Sequence, residues 1–168
     1  MEPLLSIALP DDLRNEYLEK SSCLFRFYQA SHAYQGLLRD YAGSGVMIGQ
    51  AEAHLLTEIA DNPGVTTTQL AGRWRKTTAA ISQTVTKLEN KGMVERRRAG
   101  ENALHVLLYP TQSGTIMSDA HKNFDIHSVH TTLEWMRDSC TEEEIRSFFK
   151  VLDIYIDILH RKNDPSKE

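Results

Sequence analysis

The sequence predicts a mainly α-helical fold with one small β-hairpin, an α+β fold. Apolar residues recur at helical spacing over most of the chain, including long segments at both ends. After Gly92 the pattern changes to a period of two, which is typical of strands. Capping boxes at Thr66 and Thr141 mark where two of the helices begin. The predicted order is helix, helix, two short helices joined by a tight turn, hairpin, helix, helix.

The N-terminal part is predicted to form two helices. A long helix runs from Asp11 to about Tyr41, and Gly43-Ser44-Gly45 breaks the chain after it. A shorter helix follows over about 49–61. The apolar stripe of the long helix is too large for a helix surrounded by solvent, so we expect another surface to cover it.

A pair of short helices follows, and the sequence marks where each begins. Thr66, with Gln69 three residues later, is able to cap the first helix. Thr77 is able to cap the second, after a tight connection. Gly92 supplies the left-handed residue that commonly ends a helix. Together these signals predict a helix-turn-helix.

The C-terminal part begins with the hairpin, whose strands are predicted over 93–98 and 103–109. Pro110 ends the second strand, and Thr111 caps a helix that continues toward Met136. Thr141 opens the last helix, which is strongly amphipathic.

Charge is distributed unevenly along the chain. The net charge is −4, but the segment 63–98 has eight basic and two acidic residues and carries +6, which leaves −10 for the remainder. Such asymmetry is expected where one face of a protein meets phosphates, although a solvated basic stretch would look the same.

The second helix of the pair has one apolar and one polar face. Ile81, Val85 and Leu88 form the predicted buried stripe. In a helix-turn-helix this second helix enters the major groove, and small polar side chains let it approach the base edges. An ordinary polar surface helix is the open alternative. The predicted outward face consists of Ala79, Ser82, Gln83, Thr86 and Lys87.

Two motifs resemble the MarR family of winged helix-turn-helix transcriptional regulators. The run from Leu88 to Arg96 is similar to the family's Leu-Glu-x-Lys-Gly-Leu-Val-x-Arg, and Thr111 with Gly114 matches its Thr-x-x-Gly. The resemblance implies a homodimer whose recognition helices enter successive major grooves of double-stranded DNA, with the wings in flanking minor grooves. It also implies three parts: an N-terminal dimerisation helix (1–45), a winged helix-turn-helix lobe (46–110) and C-terminal dimerisation helices (111–168).

The motif and the charge pattern together predict a set of DNA-contacting residues. Gln83 is expected to pair with adenine, and the cations are expected to contact phosphates. The predicted set is Thr66, Arg73, Arg75, Lys76, Thr77, Thr78, Ala79, Ser82, Gln83, Thr86, Lys87, Arg96, Arg97 and Arg98.

The wing tip departs from the family pattern. The family usually has an Asp and an Arg there, whereas the corresponding positions hold Asn102 and Ala103 or Leu104. Without the wing Arg we expect weaker affinity and a weaker A·T preference. A winged helix that binds another protein instead of DNA remains an open alternative.

Regulation by a small, often phenolic molecule is implied by the same resemblance. Tyr17, Tyr28 and His32 on the first helix are candidate pocket residues, together with Phe27 and Tyr34. Packing in a dimer core is the favoured interpretation of these aromatic side chains. The partners expected are therefore DNA, a second copy of the chain and a small aromatic effector.

Redox and metal responses are weaker alternatives. The family's hydroperoxide-sensing branch has its cysteine four residues before a Tyr, whereas Cys23 precedes Tyr28 by five, and we expect Cys23 to be packed and inert. His121, His127 and His130 share one predicted helix with potential carboxylate ligands at Asp125 and Glu134. No dense Cys/His motif accompanies them, so no metal site is predicted. A redox- or metal-responsive regulator with weakened DNA binding stays open.

Several classes of protein are disfavoured. No apolar run has the length of a membrane span, no secretory signal is evident, and two distant cysteines suit a reducing compartment, so a cytoplasmic protein without a membrane partner is expected. No phosphate-binding loop, nucleophile elbow or CxxC pair is present, so neither an enzyme nor a cofactor is expected.

Overall fold

The structure is a computed structural model that describes residues 9–98 and 106–162. It confirms the mainly α fold with a small antiparallel sheet. The elements are α1 (Asp11–Gln35), β1 (Leu38–Arg39), β2 (Ile48–Gly49), α2 (Gln50–Asp61), β3 (Val65–Thr66), α3 (Thr67–Trp74), α4 (Thr78–Asn90), β4 (Val94–Arg98), β5 (Val106–Pro110), α5 (Gln112–Arg137) and α6 (Glu142–Lys162).

The two strands of the predicted hairpin, β4 and β5, belong to a three-stranded antiparallel sheet in the order β3-β5-β4, in which β5 is the central strand. Val94 pairs with Pro110 and Arg98 pairs with Val106, so Pro110 lies within the second strand rather than after it. Strand β3 pairs Val65 with Leu108. It was not predicted, because two residues are too few to display a period.

Helix α1 ends six residues earlier than predicted, at Gln35 rather than Tyr41. The chain then forms the short pair β1–β2. The Asp40 carboxylate accepts hydrogen bonds from the backbone N–H groups of Gly45 (2.6 Å) and Ser44 (3.0 Å), which lower the pKa of Asp40 and fix the reversal. Helical spacing alone did not reveal this stop, because apolar residues continue through the turn.

The chain forms two compact units, residues 1–121 and 122–168. The first has a core to which α2, α3, α4 and β5 all contribute. Complete burial of one such aliphatic side chain stabilises a fold by about 1.5–3 kcal/mol. The fully buried members include Leu55, Leu56, Ile59, Leu70, Ile81, Val85, Leu88 and Leu108.

Helices α1, α5 and α6 all expose large apolar side chains, and on α5 these include Ile126 and Trp135. Helix α1 has no buried residue, and its exposed side chains include Leu18 and Phe25. In the second unit Ile145 of α6 is buried, whereas Phe148 and Ile154 are exposed. The predicted stripe of α1 is therefore not covered by the described part of its own chain. The three-part division into 1–45, 46–110 and 111–168 stays a prediction.

Among the described residues, no helix is both long and apolar enough to cross a bilayer.

Candidate nucleic-acid interface

The start of α3 is fixed by the predicted capping box. The Thr66 hydroxyl oxygen accepts a hydrogen bond from the Gln69 N–H at 3.2 Å, and Gln69 Oε1 accepts from the Thr66 N–H at 2.9 Å and from the Thr66 hydroxyl at 3.0 Å. The hydroxyl proton of Thr66 is therefore committed within the cap. Thr66 orients α3, and its predicted role as a DNA contact stays a prediction.

The turn between α3 and α4 depends on a left-handed residue. Arg75 has φ +49°, and it is the one non-glycine residue with positive φ in the described ranges. Its backbone N–H donates to carbonyls of α3, so the chain turns sharply before α4 begins. The Thr77 hydroxyl oxygen then accepts from the Ala80 N–H at 3.2 Å, as its predicted capping role requires. The remaining first-turn N–H groups of α4 are the kind of donor that binds a phosphate.

The exposed face of α4 brings the predicted reading residues together. Ile81, Val85 and Leu88 are buried, as predicted. The opposite face lines a shallow concavity of about 510 Å³. Neither the Ser82 hydroxyl nor the Gln83 amide makes a hydrogen bond within the described part of the chain. The lining residues are Ala79, Ser82, Gln83, Thr86 and Lys87.

Arg96 of β4 lies against the side of α4. Its guanidinium forms an ion pair with Glu89, donates to Thr86 Oγ1 at 3.0 Å and approaches the Ser82 carbonyl oxygen at 3.4 Å. The side chain is 28% exposed. Arg96 therefore joins the wing strand to the recognition helix, and its charge is already offset by Glu89.

The other predicted cations divide into two groups. Arg73 pairs with Glu58, and Arg97 pairs with Glu95 while lying 4.5 Å from the centre of the Tyr109 ring. Exposed ion pairs of this kind contribute about 0–1 kcal/mol, so a phosphate is able to compete with them. In the described ranges no carboxylate pairs with the second group, which consists of Arg75, Lys76, Lys87 and Arg98; Lys76 lies over the Trp74 ring.

The end of α4 is held at two places. Lys91 Nζ lies 2.6 Å from Glu52 Oε2, which ties it to the start of α2. The Thr111 hydroxyl donates to the Gly92 carbonyl at 2.6 Å and accepts from the Gly114 N–H at 3.0 Å. A Cβ on Gly114 would lie 1.9 Å from the Met93 carbonyl oxygen, so this close contact requires glycine. The predicted cap at Thr111 therefore also positions β4.

Residues 48–103 match the sequence model of the MarR family, and this range includes α2, α3, α4 and β4. This segment of the chain is therefore similar to the MarR family. The match agrees with the element order of a winged helix, because a two-stranded wing follows the helix-turn-helix. The wing tip, with Asn102, Ala103 and Leu104, lies outside the described residues.

Known relatives support the same fold. A Bacillus subtilis (strain 168) protein, YhjH, described as an uncharacterized HTH-type transcriptional regulator, is 29% identical over 103 residues, which is 61% of this chain. The chain matches 58% of the length of that relative. The crystal structure of Streptococcus pneumoniae FabT in complex with DNA superposes with a TM-score of 0.59 at 24% identity, covering 92% of this chain and all of FabT. Zinc-responsive Lactococcus lactis ZitR superposes with a TM-score of 0.61 at 20% identity, covering 88% of this chain and 99% of ZitR.

A second cavity of about 510 Å³ lies beside the helix-turn-helix. The predicted effector residues Tyr17, Tyr28 and His32 are exposed on α1 and do not line it. Of the lining residues, only Lys76 was among the predicted site residues, as a DNA contact. The lining residues are Gln35, Gln50, Ala51, His54, Thr57, Glu58, Trp74 and Lys76.

A histidine pair joins α2 to α5. His121 is 1% exposed, and its Nε2 lies 3.4 Å from His54 Nδ1. The Tyr41 ring contacts His121 at 4.7 Å between centroids. The sequence analysis grouped His121 with His127 and His130, both of which are exposed, and missed His54 because it is 67 positions away. Cys23 is also exposed in the single chain, so the described residues do not provide the packing predicted for it.

Proposed function

We propose that this chain is a sequence-specific regulator of transcription that binds double-stranded DNA as a homodimer at a pseudo-palindromic operator. The observation that carries the proposal is the exposed face of α4. There the Ser82 hydroxyl and the Gln83 amide make no hydrogen bond within the described chain, and Lys87 makes no ion pair there. An ordinary surface helix does not need the support that α4 has: a cap at Thr77, a tight turn at Arg75 and contacts that hold its C-terminal end at two places. The MarR-family match, the description of the B. subtilis relative and the DNA complex of FabT support it.

In this proposal α4 enters the major groove with its N-terminal half toward the bases. The Gln83 amide pairs with the N6 and N7 positions of an adenine, and Ser82 donates to a neighbouring base or phosphate. Arg75 and Lys76 precede the helix and Lys87 lies in its last turn, so the phosphates of both strands have a cation within reach. Arg98 continues this positive charge onto the wing strand.

A second copy of the chain is the proposed cover for the exposed apolar residues. On each of these helices the exposed apolar surface is larger than a single solvated helix usually has. In a dimer with a two-fold axis, the same patch on both copies can pack against itself. Two recognition helices would then address half-sites about 34–36 Å apart, one turn of DNA. The residues to be covered include Tyr17, Leu18 and Phe25 on α1 and, in the second unit, Phe148, Val151 and Ile154 on α6.

Duplexes from the chain's own promoter region provide the test. We expect a mobility shift that weakens steeply as salt rises, and a footprint of two half-sites one helical turn apart. Sedimentation of the free protein should give a dimer. A folded dimer that binds no duplex at low salt would contradict the proposal and favour a winged helix that binds protein.

Regulation by a small aromatic effector, with repression as the unliganded state, belongs to the same proposal. The cavity beside α3 has the size of a typical ligand pocket and includes Trp74 and Lys76, which directly precede α4. A ligand there would engage the connection that orients the recognition helix. Titration of aromatic acids should lower operator affinity in the wild type and have a smaller effect in Trp74→Ala; equal effects in both would place the effector elsewhere.

A transition metal ion is a second candidate effector, favoured by the His54–His121 pair. Two imidazole nitrogens bound to one tetrahedral zinc ion are about 3.3 Å apart, close to the observed 3.4 Å. The structure of zinc-responsive ZitR has a similar fold. Operator affinity should differ between added zinc and a chelator in the wild type but not in His54→Ala. Equal affinity in both conditions would exclude this candidate.

A further inference from the structure

Thr86 is the residue of the α4 face whose polar group is already engaged. Its hydroxyl donates to the Ser82 carbonyl at 2.9 Å and accepts from Arg96 Nη2 at 3.0 Å. A hydroxyl has one proton to donate, and that proton is directed at the helix backbone. Arg96 is in turn held by Glu89, so the acceptor contact is also anchored.

With its hydroxyl engaged, Thr86 has its methyl group left for a contact outside the chain. The residue is exposed and lines the concavity of the α4 face. Ala79 presents a second methyl group on the same face, seven residues earlier and about 10.5 Å away along the helix axis. The 5-methyl group of thymine is the apolar feature of the major groove, and alanine and threonine methyl groups are its usual contacts.

Ser82 and Gln83 differ from Thr86 in this respect. Neither the Ser82 hydroxyl nor the Gln83 amide makes a hydrogen bond in the described part of the chain, and both residues lie between Ala79 and Thr86 on the concave face. The face therefore has hydrogen-bonding groups in its centre and methyl groups on either side. An A·T pair offers the matching combination, a hydrogen-bonding adenine edge beside a thymine methyl group.

We propose that Thr86 reads the 5-methyl group of a thymine through its own methyl group, with Arg96 as the positioning residue that keeps the Thr86 hydroxyl turned toward the helix. The proposal rests on the DNA-binding function proposed above. It predicts that each operator half-site contains at least one A·T pair whose thymine lies against the C-terminal half of the exposed face of α4. It also makes Thr86 a residue that determines sequence specificity rather than a phosphate contact.

Single replacements of thymine by deoxyuridine in a bound operator test it, because they remove only the methyl group. We expect one position in each half-site where the wild type loses about fourfold in affinity, the effect of one buried methyl group. Thr86→Val keeps the methyl group and should keep this loss. Thr86→Ser keeps both hydrogen bonds and the fold, but it should bind the thymine and deoxyuridine operators equally.

Arg96→Lys tests the positioning role. The variant keeps the positive charge, and its affinity for random duplex serves as the reference. The ratio of thymine to deoxyuridine affinity at that position should fall, because the Thr86 hydroxyl loses the guanidinium that holds it. A merely structural Arg96 would leave the ratio of thymine to deoxyuridine affinity at its wild-type value.

The outcomes separate the two proposals. If the wild type prefers no operator over random duplex, the DNA-reading function fails, and the thymine contact with it. If it prefers an operator but no deoxyuridine replacement weakens binding, only the thymine contact is overturned. Retained discrimination in Thr86→Ser would overturn the assignment to Thr86.

Discussion

Helix α4 and strand β4 were predicted to contact DNA together, but their side chains are arranged differently. On α4, Gln83 and Lys87 lie on an exposed face without intramolecular partners in the described ranges. On β4, Arg96 and Arg97 are paired with Glu89 and Glu95. Arginines that suggest phosphate contacts in the sequence therefore serve in part to form ion pairs within the protein. The proposed function therefore places recognition mainly on α4, with β4 contributing mainly its position.

The contact that places β4 should give the largest effect on stability. Gly114→Ala brings a Cβ to 1.9 Å from the Met93 carbonyl, and we expect a loss of about 3 kcal/mol in the free energy of unfolding. Gly72→Ala is the matched control, because its Cβ meets nothing within 4 Å on an exposed helical position. It should be neutral or stabilising by up to about 1 kcal/mol. Urea unfolding measures the free energy of unfolding of both variants. Equal effects would contradict the close contact between Gly114 and the Met93 carbonyl.

Gln83→Ala should give the largest effect on specificity. Loss of one bidentate base contact costs about 1–3 kcal/mol, or about 5- to 150-fold in the ratio of operator to random-duplex affinity. Lys87→Ala on the same face is the comparison, since it should weaken both duplexes alike. If Gln83→Ala also weakens both duplexes alike, its role as a base reader is wrong.

The paired and unpaired cations should differ in salt dependence. Arg98→Ala should lower the slope of log affinity against log salt by about 0.9, the effect of one phosphate contact. Arg97→Ala and Arg73→Ala should each weaken all duplexes similarly but by less, because each cation has a carboxylate partner in the free protein. Slopes measured by fluorescence anisotropy decide the order. A larger change in slope for Arg97→Ala than for Arg98→Ala would contradict the division into cations with and without a carboxylate partner.

Arg96→Ala should have the smallest effect on the salt slope. Its charge is offset by Glu89, so we expect little change in slope and a loss of about 1 kcal/mol in stability, from the bonds that join β4 to α4. A fall in slope equal to that of Arg98→Ala would show that Arg96 leaves Glu89 for a phosphate.

Local signals in the sequence were sufficient for the helix-turn-helix. The capping box at Thr66, the cap at Thr77 and the buried stripe of Ile81, Val85 and Leu88 all involve residues within a few positions of one another. Their geometry follows from helix periodicity and from the unsatisfied N–H groups at helix starts. The glycine at position 92 likewise adopts the positive φ that a helix end requires.

Contacts between distant residues were not predictable in the same way. Glu58 pairs with Arg73 across 15 positions, Lys91 with Glu52 across 39, and His54 meets His121 across 67. Each depends on how α2 packs against another element. The early end of α1 was missed for a related reason, since the turn at Asp40 is stabilised by bonds to Ser44 and Gly45 that compete with the helix.

Selection of bound duplexes from a random pool, carried out in parallel with the wild type and Gln83→Ala, tests most directly that α4 reads DNA. The wild type should enrich a pseudo-palindrome with half-sites about one helical turn apart. Gln83→Ala should enrich the same spacing with one adenine position relaxed in each half-site. Enrichment of no motif by the folded wild-type dimer, or of an identical motif by both proteins, would contradict the account.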